Sequence, residues 1–436
     1  MHPLLGATYE GVARLARALS AVAPSSGGKL ATSFSARHGT IERFEAFERE
    51  TARPLLWMHA PSVGEGLQAR PVLDLLSARR PDVQRAYTYF SPSARAFAAT
   101  LDVDVAGMLP FDARRDMQRL VRALAPSALV FSKLDVWPTL AREAARAGTP
   151  LGLISATLAA TSSRRSGIAG ALLRDAYARL DRVGAISGDD ADRLIALGVP
   201  RTRISVTGDT RYDQVWERAR QVDRASPLLA ALASDRPTLV AGSTWPSDER
   251  VLLPAWDALL RRLPSSRLVV APHEPSTGHV EQIERWAAAS GHSLARLGSP
   301  LVGDPDVVLV DRLGVLGDLY ALADIAFVGG AFHGAGLHSV LEPAAFGVPV
   351  LFGPRYLASR DAQRLLDSDA AVSISDARAL ETQLHEWLTS DMARRAAGAA
   401  ARAQVHAGLG AAERSLRLVL DLLGEPQPTP PAGEAR

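Results

Sequence analysis

Two stretches place a serine three residues before a glutamate where an apolar run turns into a helical pattern. They are HAPSVGEG (59–66), with Ser62 and Glu65, and GLHSVLEP (336–343), with Ser339 and Glu342. The spacing predicts a capping box, the serine taking an orphan amide and the glutamate reaching back to the chain. A glycine-bearing turn that enters a helix also presents free N–H groups at the positive end of the helix dipole, which suits a phosphate or a carboxylate. Gly64 serves the first stretch. The second lies inside FVGGAFHGAGLHSVLEPAAFGVP (327–349), where Gly329, Gly330, Gly334 and Gly336 let backbone approach a ligand closely. Further polar residues close strand-like runs: Ser243 and Thr244 in AGSTWPSDE, His273 in APHEP, Arg211 in TGDTRYD, and Lys133 and Asp135 in KLDVWP. Hydroxyls, amides and single cations of this kind suit a phosphate or a carboxylate. In ARHGTIERF (36–44) a carboxylate, Glu42, stands between Arg37 and Arg43. Such a group can act as a general base if it faces substrate; by spacing alone it is one charge among Glu45, Glu48 and Glu50. Trp137 and Trp245 read as packing residues. His333 and His338 have no acid at ligand spacing on one helix face, so no metal site is expected.

The elements that must position these residues alternate. In the first half, PLLWMHA (54–60), QRAYTYF (84–90), ALVFS (128–132), LGLISA (151–156), VGAIS (183–187) and ISVTG (204–208) read as strands. Helical patterns such as 66–80 and 137–148 lie between them. The rhythm restarts with TLVAGS (238–243), SRLVVAP (266–272), VVLVD (307–311), IAFVGG (325–330) and VPVLFG (348–353). Alternation of this kind predicts parallel sheets covered by helices on both faces, and in such sheets ligands bind beyond the carboxyl ends of the strands. The expected organisation is an amphipathic, membrane-proximal helix in 1–30 and a first doubly wound domain in 31–215. A linker at 216–236, a second doubly wound domain at 237–423 and a Pro-rich disordered tail at 424–436 complete it.

The 436 residues exceed one ordinary core, which agrees with two domains. The net charge of +2 gives no reason to expect nucleic acid. With no cysteine, disulfides and thiolate metal sites are excluded. Only Lys29 and Lys133 are lysines; the other cations are arginines. No run reaches the roughly 18–20 apolar residues of a membrane span. The N-terminal MHPLLGATYEGVARLARALSAVA, with Arg14 and Arg17, suits either a membrane surface or a helix packed on its own domain.

HAPSVGEG, TGDTRYD, AGSTWPSDE and FVGG…GLHSVLEPAAFGVPVLFGPR, in this order over about residues 35–420, resemble the 3-deoxy-D-manno-octulosonic acid (Kdo) transferase family of lipopolysaccharide biosynthesis. The resemblance implies an α/β GT-B glycosyltransferase, with two Rossmann-like doubly wound domains facing a cleft. It implies an inverting, metal-independent transfer of Kdo from CMP-Kdo to a lipid A precursor at the cytoplasmic face of the inner membrane. No cofactor and no nucleic acid take part. Carried onto this chain, it makes Glu42 the general base. Arg37, Arg43, Ser62, Gly64, Glu65, Lys133 and Asp135 fall to the acceptor. Arg211, Ser243, Thr244, His273, Gly329, Gly330, Gly336, Ser339 and Glu342 fall to the donor. The chain departs from the family pattern at KLDVWP, where Lys133 replaces an acid and Asp135 a glutamate. It departs again at Leu337-His338-Ser339, in place of Gly-His-Asn, and at Arg355, in place of a histidine. Competing readings are a GT-B enzyme using another nucleotide sugar, such as a UDP-sugar transferase or epimerase, and a non-catalytic sugar-binding homologue. A dinucleotide oxidoreductase is disfavoured, because no G-x-G-x-x-G with a suitably spaced acid follows the first strand.

Overall fold

Strand β1 (Leu55–His59) is buried along its whole length. Leu55 and Trp57 enter one hydrophobic cluster, Leu56 and Met58 another. A strand covered on both faces needs apolar residues at every position, so the segment reads as a continuous run. The computed structural model describes residues 3–22, 33–159, 162, 164, 167–299 and 304–424. The expected tail from 425 onward and residues 23–30 of the N-terminal segment lie outside the described residues.

The chain forms two compact units, each built on one parallel sheet of seven strands. In the first unit β1 is joined by β2 (Gln84–Tyr89), β3 (Val105–Met108), β4 (Ala128–Ser132), β5 (Leu151–Ala156), β6 (Arg182–Ala185) and β7 (Ile204–Val206), in the order β3-β2-β1-β4-β5-β6-β7. The winding reverses between β1 and β4. The second unit holds β8 (Thr238–Thr244), β9 (Arg267–Pro272), β10 (Leu294–Arg296), β11 (Val307–Leu309), β12 (Ile325–Val328), β13 (Val350–Phe352) and β14 (Ala371–Ser373), in the order β10-β11-β9-β8-β12-β13-β14. Its reversal falls between β8 and β12. This is the doubly wound α/β architecture expected from the alternating pattern.

The unit boundaries correct the expected ones. The second unit runs from Val215 to Gly408, so 216–236 is part of it and not a linker. Helix Arg211–Gln221 continues through the boundary, and Leu229 and Leu232 are buried in the second unit's core. From Leu409 the chain returns to the first unit. There Asp213 accepts hydrogen bonds from the amides of Gly410 (2.8 Å) and Ala412 (3.0 Å). This caps helix Ala411–Leu422, whose Leu416, Val419 and Leu422 complete the first unit's core. The expected domain limit at 423 therefore gives way to Gly408.

Helix Pro3–Val22 lies on the first unit. Tyr9 donates to the buried carboxylate of Asp112 at 2.9 Å, and Arg17 pairs with Asp116 at 2.8 Å. Val12, Leu15 and Leu19 remain exposed. Among the described residues no helix is long and apolar enough to cross a membrane.

Candidate active site

In the first unit the reversal point gathers the residues that follow β1 and β4. Helix Val63–Arg79 starts just after β1 with Ser62 at its N-cap, yet Ser62 makes no side-chain cap. Its hydroxyl donates to the carboxylate of Glu65 instead, and Lys133 Nζ donates to the same carboxylate at 3.0 Å. The expected capping box is thus absent. A charge-assisted pair with Lys133 outcompetes an amide for Glu65. Burial alone would raise the Glu65 carboxyl; Ser62 and Lys133 outweigh it and hold the group below the usual range. Lys133 adopts φ 70, the left-handed region that a residue with a Cβ enters at a cost. Asp135 pairs with Arg164. The fold therefore brings Ser62, Gly64, Glu65 and Lys133 together.

Glu42 sits elsewhere in the same unit, on helix Thr40–Glu45, which packs against β3 and helix Arg114–Leu124. Its side chain is 66% exposed and lies 3.4 Å from Arg119, which holds Glu45 more closely at 2.6 Å. No hydrogen bond or ion pair joins Glu42 to Glu65 or Lys133 among the described residues. Arg37 corrects the expectation placed on it. It is buried between the rings of Phe90 (4.1 Å) and Phe111 (4.5 Å), and it donates to the Phe90 carbonyl at 2.8 Å. Burial pushes its guanidinium down to about 10. Arg37 fixes the entry to the Glu42 helix and is not available to an acceptor. Arg43 is exposed, and among the described residues its side chain has only a 3.4 Å contact to the Ala106 carbonyl.

In the second unit the reversal point joins the ends of β8 and β12. The two segments close so tightly that a Cβ on Gly329 would stand 2.3 Å from the Ser243 carbonyl oxygen. Gly330 follows at φ +95. Asp248, fully buried at the start of helix Pro246–Arg262, accepts from the amides of Trp245 (2.9 Å), Gly330 (2.8 Å) and Phe332 (3.1 Å). One carboxylate thus caps the helix and pins the glycine loop. Ser243 adopts φ 53, at a register shift against β9, and its hydroxyl has no partner among the described residues. Thr244 does not share that freedom. Its buried hydroxyl donates to Glu249 at 2.8 Å, and Glu249 also meets His279 at 2.9 Å, so the expected hydroxyl contact with donor is withdrawn.

Four rings line this loop. Trp245 stacks on His333 at 4.1 Å and on His273 at 4.8 Å, and His273 meets His338 at 4.5 Å. Trp245 Nε1 donates to His338 Nε2 at 3.1 Å, which requires a neutral His338. Burial and then His273 lower that ring to about 4. Ser339 is exposed and does not cap, because helix Leu341–Ala345 begins one residue later than the box requires, with Val340 at its N-cap. Glu342 has no hydrogen bond and no ion pair among the described residues. Burial raises its carboxyl, with Arg218 opposing. Arg211, in the first unit, forks onto Asp209 at 2.7 and 2.9 Å.

The family model described as 3-Deoxy-D-manno-octulosonic-acid transferase (kdotransferase) matches residues 36–214. A 3-deoxy-D-manno-octulosonic acid transferase of Bordetella pertussis is 32% identical over 382 residues, covering 85% of this chain and 87% of the relative. The chain belongs to the Kdo transferase family. The Haemophilus influenzae transferase is 28% identical, covering 88% of this chain and 91% of its own. The solved UDP-GlcNAc 2-epimerase of Neisseria meningitidis, bound to UDP-GlcNAc, matches with a TM-score of 0.61 at 12% identity, over 84% of this chain and 100% of that one. At that identity the likeness shows the GT-B fold alone.

Against the Kdo transferase pattern, Lys133 now has a physical account: the cation that replaces an acid neutralises Glu65. Three residues were missed by sequence reading. Asp248 had a signal, an acid four residues beyond the end of a strand and two after a proline, as at a helix start. Arg119 and Arg95 had none, since only the packing of the strands brings them to the Glu42 helix.

Proposed function

We propose that this transferase moves Kdo from CMP-Kdo to a lipid A precursor with inversion, the first unit holding the acceptor and the second the donor. The observation that carries the donor assignment is Glu342. A part-buried carboxylate without a donor is costly unless a ligand supplies one, and the ribose hydroxyls of a nucleotide do so. Amides between Gly330 and Ser339, with the Ser243 hydroxyl, take the phosphate or the Kdo carboxylate; His273 stands beside them. Gly329 and Gly336 keep that loop close to the ligand.

The acceptor hydroxyl attacks the anomeric carbon while the bond to the CMP phosphate breaks. Glu42 takes the hydroxyl proton, and the electron pair of the broken bond leaves on the phosphate oxygen. Arg211 and the loop amides offset the charge that develops there. Ser62, Gly64, Glu65, Lys133 and Asp135 hold the acceptor sugar, with Arg43 beside the base. The exposed Val12, Leu15 and Leu19 support peripheral attachment at the cytoplasmic face of the inner membrane.

The test is incubation with CMP-Kdo and a tetra-acylated lipid A precursor, beside Glu42→Gln, with product masses read. Kdo addition that Glu42→Gln abolishes supports both the reaction and the base. Addition that survives removes Glu42 from that role. Absence of addition together with absence of CMP binding removes the donor assignment.

A further inference from the structure

We propose that Ser20 and His38 are positioning residues for Glu42, tying the end of the N-terminal helix to the turn that leads into the Glu42 helix. The inference rests on the assignment of Glu42 as base and names what holds that base in place. The Ser20 hydroxyl donates to the Phe34 carbonyl at 2.7 Å. In return the Ser20 carbonyl accepts from the His38 ring. A carbonyl only accepts, so Nε2 of His38 carries the proton. Ser20 lies within the last four residues of helix Pro3–Val22, where carbonyls have no partner inside the helix. His38 thus supplies a C-terminal cap from another segment.

The Glu42 helix needs such outside support. It has six residues, about 9 Å, far below the length at which a helix stands alone. Gly39 at its N-cap has φ 68 and no side chain to cap with. Thr40, Ile41 and Phe44 bury one face, while the Glu42 side chain is exposed. The direction of entry is therefore set by the turn at 33–39. Arg37 holds that turn to the Phe90 carbonyl, and the Phe34 ring packs on Phe111 at 5.1 Å. Ser20 and His38 hold it to the N-terminal helix.

The N-terminal helix is a firm point to tie to. Tyr9, Ala13, Arg17 and Ser20 recur at i, i+4, i+8 and i+11, which places them on one stripe. Tyr9 meets Asp112 and Arg17 meets Asp116, while Ala13 and Ser20 are buried. Beside that stripe Glu10 accepts from the Arg114 amide at 3.1 Å, supplying the cap that Ala113 lacks for helix Arg114–Leu124. That helix in turn packs on the Glu42 helix and carries Arg119. The contacts close a ring: N-terminal helix, helix Arg114–Leu124, Glu42 helix, entry turn, and back through Ser20. A base must sit within hydrogen-bond reach of the proton it takes. A displacement of about 1 Å can cost a rate about 100-fold. Opening the ring at Ser20 therefore reaches kcat before it reaches stability.

His38→Phe tests this, because it keeps a ring and loses the donor at an exposed residue. The expected result is a kcat lower by about 10-fold, with the KM values for CMP-Kdo and acceptor held within about 2-fold. His38→Gln, whose amide donates in place of Nε2, keeps most of the rate. Ser20→Ala, which removes the other contact, lowers kcat in the same direction. In a Glu42→Gln background His38→Phe adds nothing, since no base is left to position. The amides of Arg43 and Ala46, bonded to the Gly39 and Glu42 carbonyls, exchange faster in His38→Phe than in the original. An unchanged kcat in His38→Phe, with Glu42→Gln impaired, overturns the proposal and leaves the base standing. So does an equal loss in His38→Gln and His38→Phe, or a loss that only follows a fall in Tm. Full activity in Glu42→Gln removes the base itself, and this proposal with it. If the unaltered enzyme transfers nothing, the functional reading fails by itself. Exchange at Arg43 and Ala46 then decides the tie alone, and unchanged rates overturn it.

Discussion

The carboxylate of Asp248 lies 2.8 Å from the amide nitrogen of Gly330 and 2.9 Å from that of Trp245, so one side-chain oxygen bridges the ends of β8 and β12. Asp248→Ala leaves three backbone N–H groups, including that of Phe332, without their acceptor. The expected cost is about 2–4 kcal/mol for the second unit. The glycine loop is released with it, so the KM for CMP-Kdo rises about 10-fold or more. Hydrogen exchange at 329–338 should speed up, and Asp248→Asn should restore part of both effects. Faster exchange with an unchanged KM would show that the carboxylate serves stability only.

Lys133 combines a strained backbone with an exposed-side ion pair, and two substitutions separate the terms. Lys133→Met and Lys133→Gly both lose the 3.0 Å contact to Glu65. With Lys133 38% exposed and Glu65 16%, that contact is worth at most about 1 kcal/mol. Only the glycine variant also relieves the left-handed φ, by about 1 kcal/mol. Lys133→Gly is therefore expected to be about 1 kcal/mol more stable than Lys133→Met in urea unfolding of the first unit. Equal stability would mean that the backbone at Lys133 carries no strain.

The long central strands were legible because burial on both faces makes them unbroken apolar runs. β3, β10 and β14 were not read. Each is an edge strand of three or four residues, too short for a period to show, and β3 carries Gly107. The glycine loop lies at the reversal point of the second unit. The two serine–glutamate spacings misled about capping, because Lys133 claims Glu65, and Ser339 lies one residue too early. Arg37 and Arg43 looked equivalent in ARHGTIERF; only the fold shows that Phe90 and Phe111 bury the first and leave the second free. The linker expected at 216–236 failed because Leu229 and Leu232 find a core that local composition does not reveal.

Glu342→Gln should trade function for stability. The carboxylate has no donor among the described residues, and burial lifts its pKa. With a raised folded pKa, the stability contributed by the protonated form is present in acid and is lost as pH rises through that pKa. The amide variant removes this penalty at neutral pH, so the second unit is expected to gain about 1 kcal/mol, or a few degrees in Tm. CMP should then stabilise the variant less than the original, with affinity lower by about 10-fold. A variant that binds CMP as tightly as the original would remove the proposed ribose contact from Glu342.

His338 gives the opposite pH dependence. Its folded pKa, about 4, lies below the ordinary 6.5, because burial and His273 disfavour the cation. Trp245 Nε1 also donates to its Nε2, so protonation must break that hydrogen bond. Between about pH 6.5 and about pH 4 the unfolded chain binds a proton there that the folded chain does not. Stability of the second unit is therefore full above that window and falls as pH drops through it, by up to about 1.4 kcal/mol per pH unit for one proton. Urea unfolding across the window should show this slope, and His338→Asn should flatten it by one proton. A slope that survives in His338→Asn would assign the proton uptake to another group.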